Sequence, residues 1–256
     1  MISLLTDFGT ADHFVGVMKG VIATIAPETR VVDLSHHVPA YAIAEAAFLL
    51  EQSWHYFPMG TIHVAVVDPG VGSERRPLLL EAGGHFFIGP DNGLFSFVLE
   101  RDGVQTWVLD QPRFWLPLLS GTFHGRDVFA PVAAHLSSGV APSSLGSPIA
   151  DAHQLPRLLP VPQTPRDWTG AVLRVDRFGN LVTNFRVAQF SELGAFALVA
   201  GAERVELRAS TYAKCPPGVL CLIEGSSGYY EVSLAQASAA ERTGLHAGSP
   251  LELHLG

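Results

Sequence analysis

Cysteine is scarce in this sequence: Cys215 and Cys221 are the only two among 256 residues. Two cysteines cannot form a disulfide framework, and their spacing is not that of a zinc site. We expect both to be core thiols in a protein of the reducing cytoplasm. A chain of this length can bury a core large enough to need neither a disulfide nor a structural metal.

Basic residues are also few, with 16 Lys and Arg against 24 Asp and Glu, and the formal net charge is −8. The densest basic cluster is Arg75-Arg76, and Glu74 precedes it. Proteins that bind nucleic acid concentrate basic residues on one face. The sequence therefore argues against nucleic acid, and against an anionic membrane surface, as a partner.

Long apolar runs are absent. The longest, such as Ile62 to Val67, have the length of a strand, whereas a membrane-spanning helix needs about 20 apolar residues. Asp7 and Asp12 interrupt the apolar start of the chain and no basic segment precedes it, so we do not expect a signal peptide. We expect a cytoplasmic protein with no membrane partner.

The first half of the sequence alternates between strand and helix patterns. Helical spacing of apolar residues predicts helices over 11–25, 43–54, 94–100 and 124–136, and apolar runs predict strands over 1–5, 30–34, 61–67, 78–81, 85–88 and 106–109. This order predicts an α/β domain with a mostly parallel sheet. Ligands of such sheets bind beyond the carboxyl ends of the strands, where Asp7 and Asp68 lie.

The second half has a different composition. Residues 142–165 are rich in Pro, Ser and Leu, which is typical of a linker. After Trp168, short apolar segments separated by turn residues predict a small barrel or sandwich. We predict an N-terminal α/β domain over 1–150, a linker over 151–168 and a C-terminal β domain over 169–256.

Three motifs in the first half could carry chemistry. Asp7, at a strand end beside Gly9, could accept both hydroxyls of a ribose, although Asp is also common as a helix N-cap. Asp68 lies on a tight turn seven residues before Arg75; the pair could hold a water molecule in a cleft or be only structural. His124 stands at a predicted helix start, where the helix dipole disfavours its protonation.

Two motifs in the second half could bind a ligand. In the segment from Asp176 to Asn180, Phe178 could stack on a base while the polar groups read its edge or bind an ammonium group. Ser226 and Ser227, on a glycine-rich turn, could approach a carboxylate. Each motif is also an ordinary β-turn sequence.

The order of the motifs is more specific than any one of them. Thr-Asp-Phe-Gly at 6–9, Val-Asp-Pro-Gly-Val-Gly at 67–72, Gly-Pro-Asp-Asn-Gly at 89–93, Thr-Phe-His-Gly-Arg-Asp at 122–127 and Asp-Arg-Phe-Gly-Asn at 176–180 together resemble one family. This family is the S-adenosyl-L-methionine (SAM) hydroxide adenosyltransferases, relatives of the bacterial fluorinase and chlorinase. The resemblance extends from residue 2 to about residue 253 and implies an N-terminal α/β domain and a C-terminal β-barrel. It also implies a homotrimer with active sites at subunit interfaces.

The resemblance implies a role for each matching residue. Asp68, Arg75 and His124 match the catalytic triad of the hydrolytic members. Asp7 matches the ribose-binding acid, and Tyr41 falls where halogenating relatives place an aromatic residue against the substrate. The other substrate-binding positions are Phe8, Asn92, Asp176 (methionine ammonium), Phe178 and Asn180 (adenine), and Ser226 and Ser227 (methionine carboxylate).

Departures from the halogenating relatives decide the expected reaction. Those enzymes have Tyr at positions 68 and 124, and the fluorinase has Ser at 125, where this chain has Asp68, His124 and Gly125. A carboxylate would repel a halide strongly in a dry pocket. The resemblance therefore implies hydrolysis of SAM to adenosine and L-methionine by attack of water at the ribose 5′ carbon, with no cofactor and no metal ion.

Three other functions stay open at this point. A halide adenosyltransferase would form a 5′-halogenated adenosine, and a non-catalytic protein would bind adenosine or SAM without turnover. A metallohydrolase built on Asp7, Asp68 and histidines would lose activity in the presence of a chelator.

Overall fold

A computed structural model describes residues 1–256, and the chain divides into two compact units, Met1–Pro156 and Arg157–Gly256. Each unit has hydrophobic clusters of its own. The combination of an α/β unit with a β-barrel-like unit confirms the predicted fold class. The predicted domain and linker bounds stay a prediction.

A seven-stranded sheet forms the centre of the N-terminal unit. Its strands are β1 (Ile2–Thr6), β2 (Val31–Ser35), β3 (Ile62–Val66), β4 (Pro77–Ala82), β5 (His85–Pro90), β6 (Gln105–Val108) and β7 (Ser147–Pro148). They lie in the order β2-β1-β3-β5-β4-β6-β7. The first four in that order are parallel. A hairpin at Gly83-Gly84 makes β4 antiparallel to β5, and the pairs β4–β6 and β6–β7 are antiparallel as well.

Helices cover both faces of this sheet. They are α1 (Phe14–Ile25), α2 (Ile43–Ser53), α3 (Ser96–Leu99), α4 (Ala130–Ser137) and α5 (Pro142–Leu145). Successive side chains of a strand point to opposite faces. Accordingly Leu4 packs in the cluster with α1 and α4, whereas Leu5 packs in the cluster with α2 and α3.

The strand order reverses between β1 and β3. The chain runs from β1 to β2 on one side and then crosses to β3 on the other side of β1. Ligands of open α/β sheets bind at such a reversal of strand order. Thr6 pairs with Val66 in the parallel register of β1 and β3, so Asp7 and Asp68 both follow these strands at one edge of the sheet.

The C-terminal unit is a nearly closed antiparallel barrel. Its strands are β8 (Val161–Thr164), β9 (Asp167–Val175), β10 (Leu181–Arg186), β11 (Phe196–Ala200), β12 (Glu203–Val205), β13 (Leu220–Glu224), β14 (Tyr229–Leu234) and β15 (Pro250–Leu255). The order is β12-β11-β15-β9-β10-β14-β13, and β8 pairs with β9. Backbone hydrogen bonds of Leu207 and Ala209 to Leu222 join the two ends of the sheet. Two short helices, α6 (Val187–Phe190) and α7 (Ala239–Thr243), lie between strands.

The helix predicted over 124–136 is divided in the structure. A π-helical turn, Gly125–Phe129, precedes α4. Pro131 has no N–H to donate to the carbonyl of Asp127, four residues earlier, and that carbonyl accepts instead from Leu116 N at 2.9 Å. The predicted helix is therefore present, and its first turn is π-helical rather than α-helical.

A chain of buried polar side chains crosses the core of the N-terminal unit. Ser3 Oγ lies 2.7 Å from His63 Nδ1, and His63 Nε2 lies 3.2 Å from His85 Nδ1. Burial, and then the neighbouring His85, lower the pKa of His63 to about 3, and burial also lowers the pKa of His85. Both imidazoles are therefore neutral near neutral pH.

Cys215 and Cys221 are both buried and unpaired, as the sequence predicts. No helix combines the length and the apolar character that crossing a membrane requires.

Candidate functional site

Arg75 contacts both of the other residues predicted to act on water, Asp68 and His124. Its Nε donates to Asp68 Oδ1 at 2.9 Å and its Nη2 to Asp68 Oδ2 at 2.5 Å, a bidentate ion pair. Arg75 Nη2 also lies 2.8 Å from His124 Nδ1. The Asp68 and Arg75 side chains are 5% and 9% exposed, so the pair is shielded from bulk water. The structure thus brings Asp68, Arg75 and His124 into one cluster.

This contact determines the tautomer of His124. A guanidinium group can only donate hydrogen bonds, so His124 Nδ1 accepts and the ring proton resides on Nε2. Burial, followed by the charge of Arg75, lowers the pKa of His124, although Asp68 and Asp127 raise it. His124 is therefore a neutral imidazole whose remaining ring nitrogen is a donor.

Two loops carry the cluster, and a glycine at position 72 allows them to approach each other. Asp68 and Arg75 lie on the loop after β3, and His124 follows the loop at Gly121. A Cβ atom at Gly72 would lie 2.2 Å from the carbonyl oxygen of Gly121, and Gly72 has φ +77°. Only glycine fits this position without displacing a loop.

Asp127 holds the loop that precedes His124 in the chain. This fully buried carboxylate accepts from Ser120 N at 2.7 Å and from Arg126 Nε at 2.6 Å. The motif at 122–127 contains Asp127, but its sequence gave no reason to assign it a role. Its contacts hold the backbone that carries His124.

Asp7 and Tyr41 meet at the sheet edge beside this cluster. Asp7 Oδ2 accepts from Tyr41 N at 2.9 Å. Tyr41 has φ 68° and its side chain is 72% exposed. A left-handed conformation is unfavourable for a tyrosine and occurs most often at functional sites. Asp7 retains free acceptor positions, because only one of its oxygens takes part in this bond.

Phe8 packs in an aromatic cluster with Phe14 and Phe123, with ring centroids 5.3 to 5.8 Å apart. A Cβ atom at Gly125 would approach Phe123 and Phe8 to 3.2 and 3.4 Å. A larger residue at position 125 would therefore press on these rings. Phe8 serves this packing, and its predicted contact with substrate stays a prediction.

Asn92 uses its side-chain amide within the protein. Its Nδ2 donates to the carbonyl of Val67 at 2.9 Å, and its Oδ1 accepts from Leu94 N at 3.2 Å. Val67 immediately precedes Asp68, so Asn92 holds the end of the strand that carries the acid. Its predicted role in substrate binding stays a prediction.

A cavity of about 750 Å³ in the C-terminal unit contains four of the predicted binding residues: Asp176, Phe178, Asn180 and Ser226. Phe178 is 78% exposed, whereas Asn180 is 5% exposed. Asp176 Oδ1 accepts from Phe178 N and Asn180 N, and Oδ2 accepts from Asn180 Nδ2, all at 2.8 to 2.9 Å. Ser227 differs from these four because its hydroxyl is buried without a hydrogen-bond partner.

Sequence reasoning missed several residues of this cavity, namely Tyr212, Glu231, Leu234, Gln236, Ala237 and Ser238. Tyr212 OH donates to Glu231 Oε2 at 2.7 Å, and Glu231 is 6% exposed. A buried acid in the middle of a strand is unusual. The position of Glu231 within the apolar segment Tyr229–Leu234 was therefore a usable signal.

No group of three or more His, Cys, Asp or Glu side chains is arranged to hold a metal ion. The absence of a metal or cofactor requirement stays a prediction.

Similar proteins match both units. The family description "SAM hydroxide adenosyltransferase" fits residues 2–146 for its N-terminal domain and 170–252 for its C-terminal domain. Two relatives named (R)-S-adenosyl-L-methionine hydrolase are similar over almost their full length. The one from Thermus thermophilus is 39% identical over 97% of each chain, and the one from Salinispora arenicola is 40% identical over 100% of this chain and 98% of the relative.

The similarity extends to a solved structure and, at lower identity, to halogenating enzymes. The crystal structure of an uncharacterized conserved protein from Thermotoga maritima has a TM-score of 0.91 and 30% identity, covering 99% of this chain and 100% of that chain. A fluorinase from Actinoplanes is 24% identical over 76% of this chain and 74% of its own length. By the match of both domains and by these full-length relatives, the chain belongs to the SAM hydroxide adenosyltransferase family.

Proposed function

We propose that this chain hydrolyses S-adenosyl-L-methionine to adenosine and L-methionine. The observation that carries the proposal is the shielded Asp68–Arg75–His124 cluster, which lies at the same sheet edge as Asp7. The relatives at 39% and 40% identity bear the name of this activity. Asp68 is a carboxylate where a halide-binding enzyme would need an uncharged group, because like charges repel strongly in a shielded site.

The leaving group determines what the protein must supply. Water oxygen forms a bond to the ribose 5′ carbon, the carbon–sulfur bond breaks with its electron pair going to sulfur, and one proton is released. Methionine departs as a neutral thioether, so no general acid is required. The remaining tasks are to align water with the carbon–sulfur bond and to accept its proton, and alignment alone can contribute about 7–11 kcal/mol.

The tautomer of His124 indicates which side chain orients the water and which accepts its proton. His124 Nδ1 is occupied by Arg75, so Nε2–H donates to the water oxygen and orients it. Asp68 is then the proton acceptor, because its oxygens retain lone pairs beyond those that accept from Arg75. Arg75 holds both groups in place and stabilises the ionised carboxylate. These three roles are part of the proposal.

The substrate is assigned to the predicted binding residues. Asp7 accepts hydroxyl hydrogens of the ribose, and the exposed ring of Tyr41 covers the sugar. Phe8 and Asn92 support the site through the contacts described above. Asp176, Phe178, Asn180, Ser226 and Ser227 take the adenine and amino-acid ends.

The configuration at sulfur follows the same proposal. The Thermus and Salinispora relatives are named for the (R) epimer of the substrate. A protein that holds both the ribose and the amino acid fixes two of the three groups on sulfur, so the methyl groups of the two epimers point in different directions and meet different surroundings. We propose that this chain prefers the (R) epimer, and turnover of the separated epimers measures this preference.

The homotrimer with sites at subunit interfaces belongs to the proposal as well. A mixture of Asp68→Ala and Asp176→Ala chains, dissociated and reassembled together, tests it. If the two residues act from different subunits, random reassembly restores about a quarter of the wild-type sites. If both residues act within one chain, the mixture stays as inactive as its components.

The activity itself is tested with purified protein, SAM and chelator-treated buffer, with and without chloride or fluoride. We expect adenosine and methionine in equal amounts, independent of halide and chelator. A 5′-halogenated adenosine would establish the halide adenosyltransferase, and loss of activity with chelator would favour the metallohydrolase. A retained ligand without turnover would favour the binding protein.

A further inference from the structure

Glu231 is a buried acid that has no role in the proposed reaction. It lies in the middle of β14, opposite Val182 of β10 and Ile223 of β13. It lines the same cavity as Asp176, Asn180 and Ser226. A Cβ atom at Gly225 would lie 2.2 Å from Glu231 Oε1, so a glycine at that position leaves the space that this carboxylate occupies.

The surroundings of Glu231 contain negative charge and no matching cation. Burial raises its pKa, the hydrogen bond from Tyr212 lowers it, and the charge of Asp176 raises it again. A buried carboxylate is stabilised by a cation or by several donors. Tyr212 supplies one neutral donor, which leaves a requirement for positive charge in this cavity.

Hydrogen-bonding capacity leads to the same conclusion. A carboxylate has about four acceptor positions, and three at Asp176 are taken by Phe178 N, Asn180 N and Asn180 Nδ2. An ammonium group carries three N–H donors. Asp176 alone can satisfy about one of them, whereas Glu231 has accepted only the Tyr212 hydroxyl.

We infer that Glu231 is a second acidic ligand for the cationic amino-acid end of the substrate and acts beside Asp176. The inference rests on the proposed function and deepens it. The pair favours a substrate with positive charge at that end. The adenosine product carries no such charge and does not depend on the pair.

The variant Glu231→Gln tests this inference, since it removes the charge but keeps the shape and an acceptor for Tyr212. We expect KM for SAM to rise roughly tenfold to a hundredfold, as for loss of a charge-assisted hydrogen bond, with a much smaller change in kcat. The inhibition constant of L-methionine should rise in parallel, and that of adenosine should stay unchanged. Glu231→Asp, which keeps the charge, should recover part of the methionine affinity.

A matched control is Glu224→Gln, an exposed acid on the adjacent strand that lines a different cavity; it should leave all constants unchanged. Unchanged KM and methionine inhibition in Glu231→Gln would overturn the inference. So would an equal loss of methionine and adenosine binding, which would indicate a purely structural role. If the wild-type chain fails to hydrolyse SAM, the proposed function fails, and calorimetric titration of both proteins with L-methionine still decides the role of Glu231.

Discussion

Asp68 in the N-terminal unit and Glu231 in the C-terminal unit are both buried acids, but their surroundings differ. Asp68 has Arg75 as its cation, and Arg75 also donates to His124, so the charges of that cluster balance within the protein. Glu231 has only the neutral Tyr212 hydroxyl and lies near a second carboxylate. The first arrangement suits a small neutral molecule such as water, whereas the second suits the cationic ligand inferred above.

The largest effect should come from breaking the balanced cluster. Asp68→Asn removes the proposed proton acceptor while keeping its shape, so we expect kcat to fall by roughly 10²–10⁴, the range for general acid–base catalysis, with little change in KM. The adjacent Asp91, which binds Arg76 and His153 N, provides the control. Asp91→Asn should lower the melting temperature and leave kcat within a few-fold. Full activity of Asp68→Asn would remove Asp68 from the mechanism.

A smaller effect on a different constant should follow from Asp7→Ala. This variant removes the proposed acceptor for the ribose hydroxyls, so we expect KM to rise by roughly tenfold or more and kcat to change less. Asp12→Ala, at an exposed position of the same loop, should behave as wild type. An unchanged KM in Asp7→Ala would contradict the ribose role.

The position of the loops can be tested separately from their chemistry. Gly72→Ala places a Cβ atom against the Gly121 carbonyl at a positive φ, so we expect kcat to fall and unfolding to become easier by about 1–3 kcal/mol. Gly103 also has a positive φ, +71°, but open space around it. Gly103→Ala should therefore show the backbone strain alone, with normal kcat. Equal kcat values for the two variants would mean that the loop contact does not position the cluster.

His63 and Glu231 should also contribute to the acid response with opposite signs. The pKa of His63 is lowered from 6.5 to about 3, so the unfolded state binds more protons between these values and the N-terminal unit loses stability as pH falls through that window. At pH 5 this amounts to about 2 kcal/mol, at about 1.4 kcal/mol per pH unit. The raised pKa of Glu231 acts in the other direction, because the folded C-terminal unit binds the proton more tightly.

Hydrogen exchange measured by mass spectrometry at pH 7 and pH 5, corrected for intrinsic rates, would resolve the two units. We expect faster exchange in β1, β3 and β5 at pH 5 and none of this change in β14. In His63→Gln the acid response of the N-terminal unit should be smaller. Uniform acceleration across both units would contradict the assignment to His63.

The parts of the fold that follow local rules could be predicted from the sequence. Strand and helix order gave the α/β unit, and Asp7 and Asp68 were identified because they follow apolar strands. The π-helical turn was missed because helical spacing of apolar residues does not report hydrogen bonds. The presence of Pro131 explains why the carbonyl of Asp127 lacks its helical donor. The donor that replaces it, Leu116 N, lies outside the helix, and helical spacing does not indicate it.

The site was predicted less completely in the C-terminal unit. Tyr212 and Glu231 are 19 residues apart and come together only because the barrel closes between β12 and β13. Glu231 stands out as an acid within an apolar strand, but nothing in the sequence around Tyr212 indicates that the two side chains meet. Asn92 is the opposite case. Its motif stands out in the sequence, but its amide nitrogen and its amide oxygen both form hydrogen bonds with the backbone.

Two of the contacts of Asp127 have a mechanical consequence for the exposed leucines nearby. Its carbonyl binds Leu116 N and its carboxylate binds Ser120 N, so one residue fixes both ends of a short loop that carries Leu118, 85% exposed, and Leu119. The loop can change shape only between these two points. A contact made at Leu118 or Leu119 therefore acts on a loop that is anchored at both ends to a residue three positions after His124.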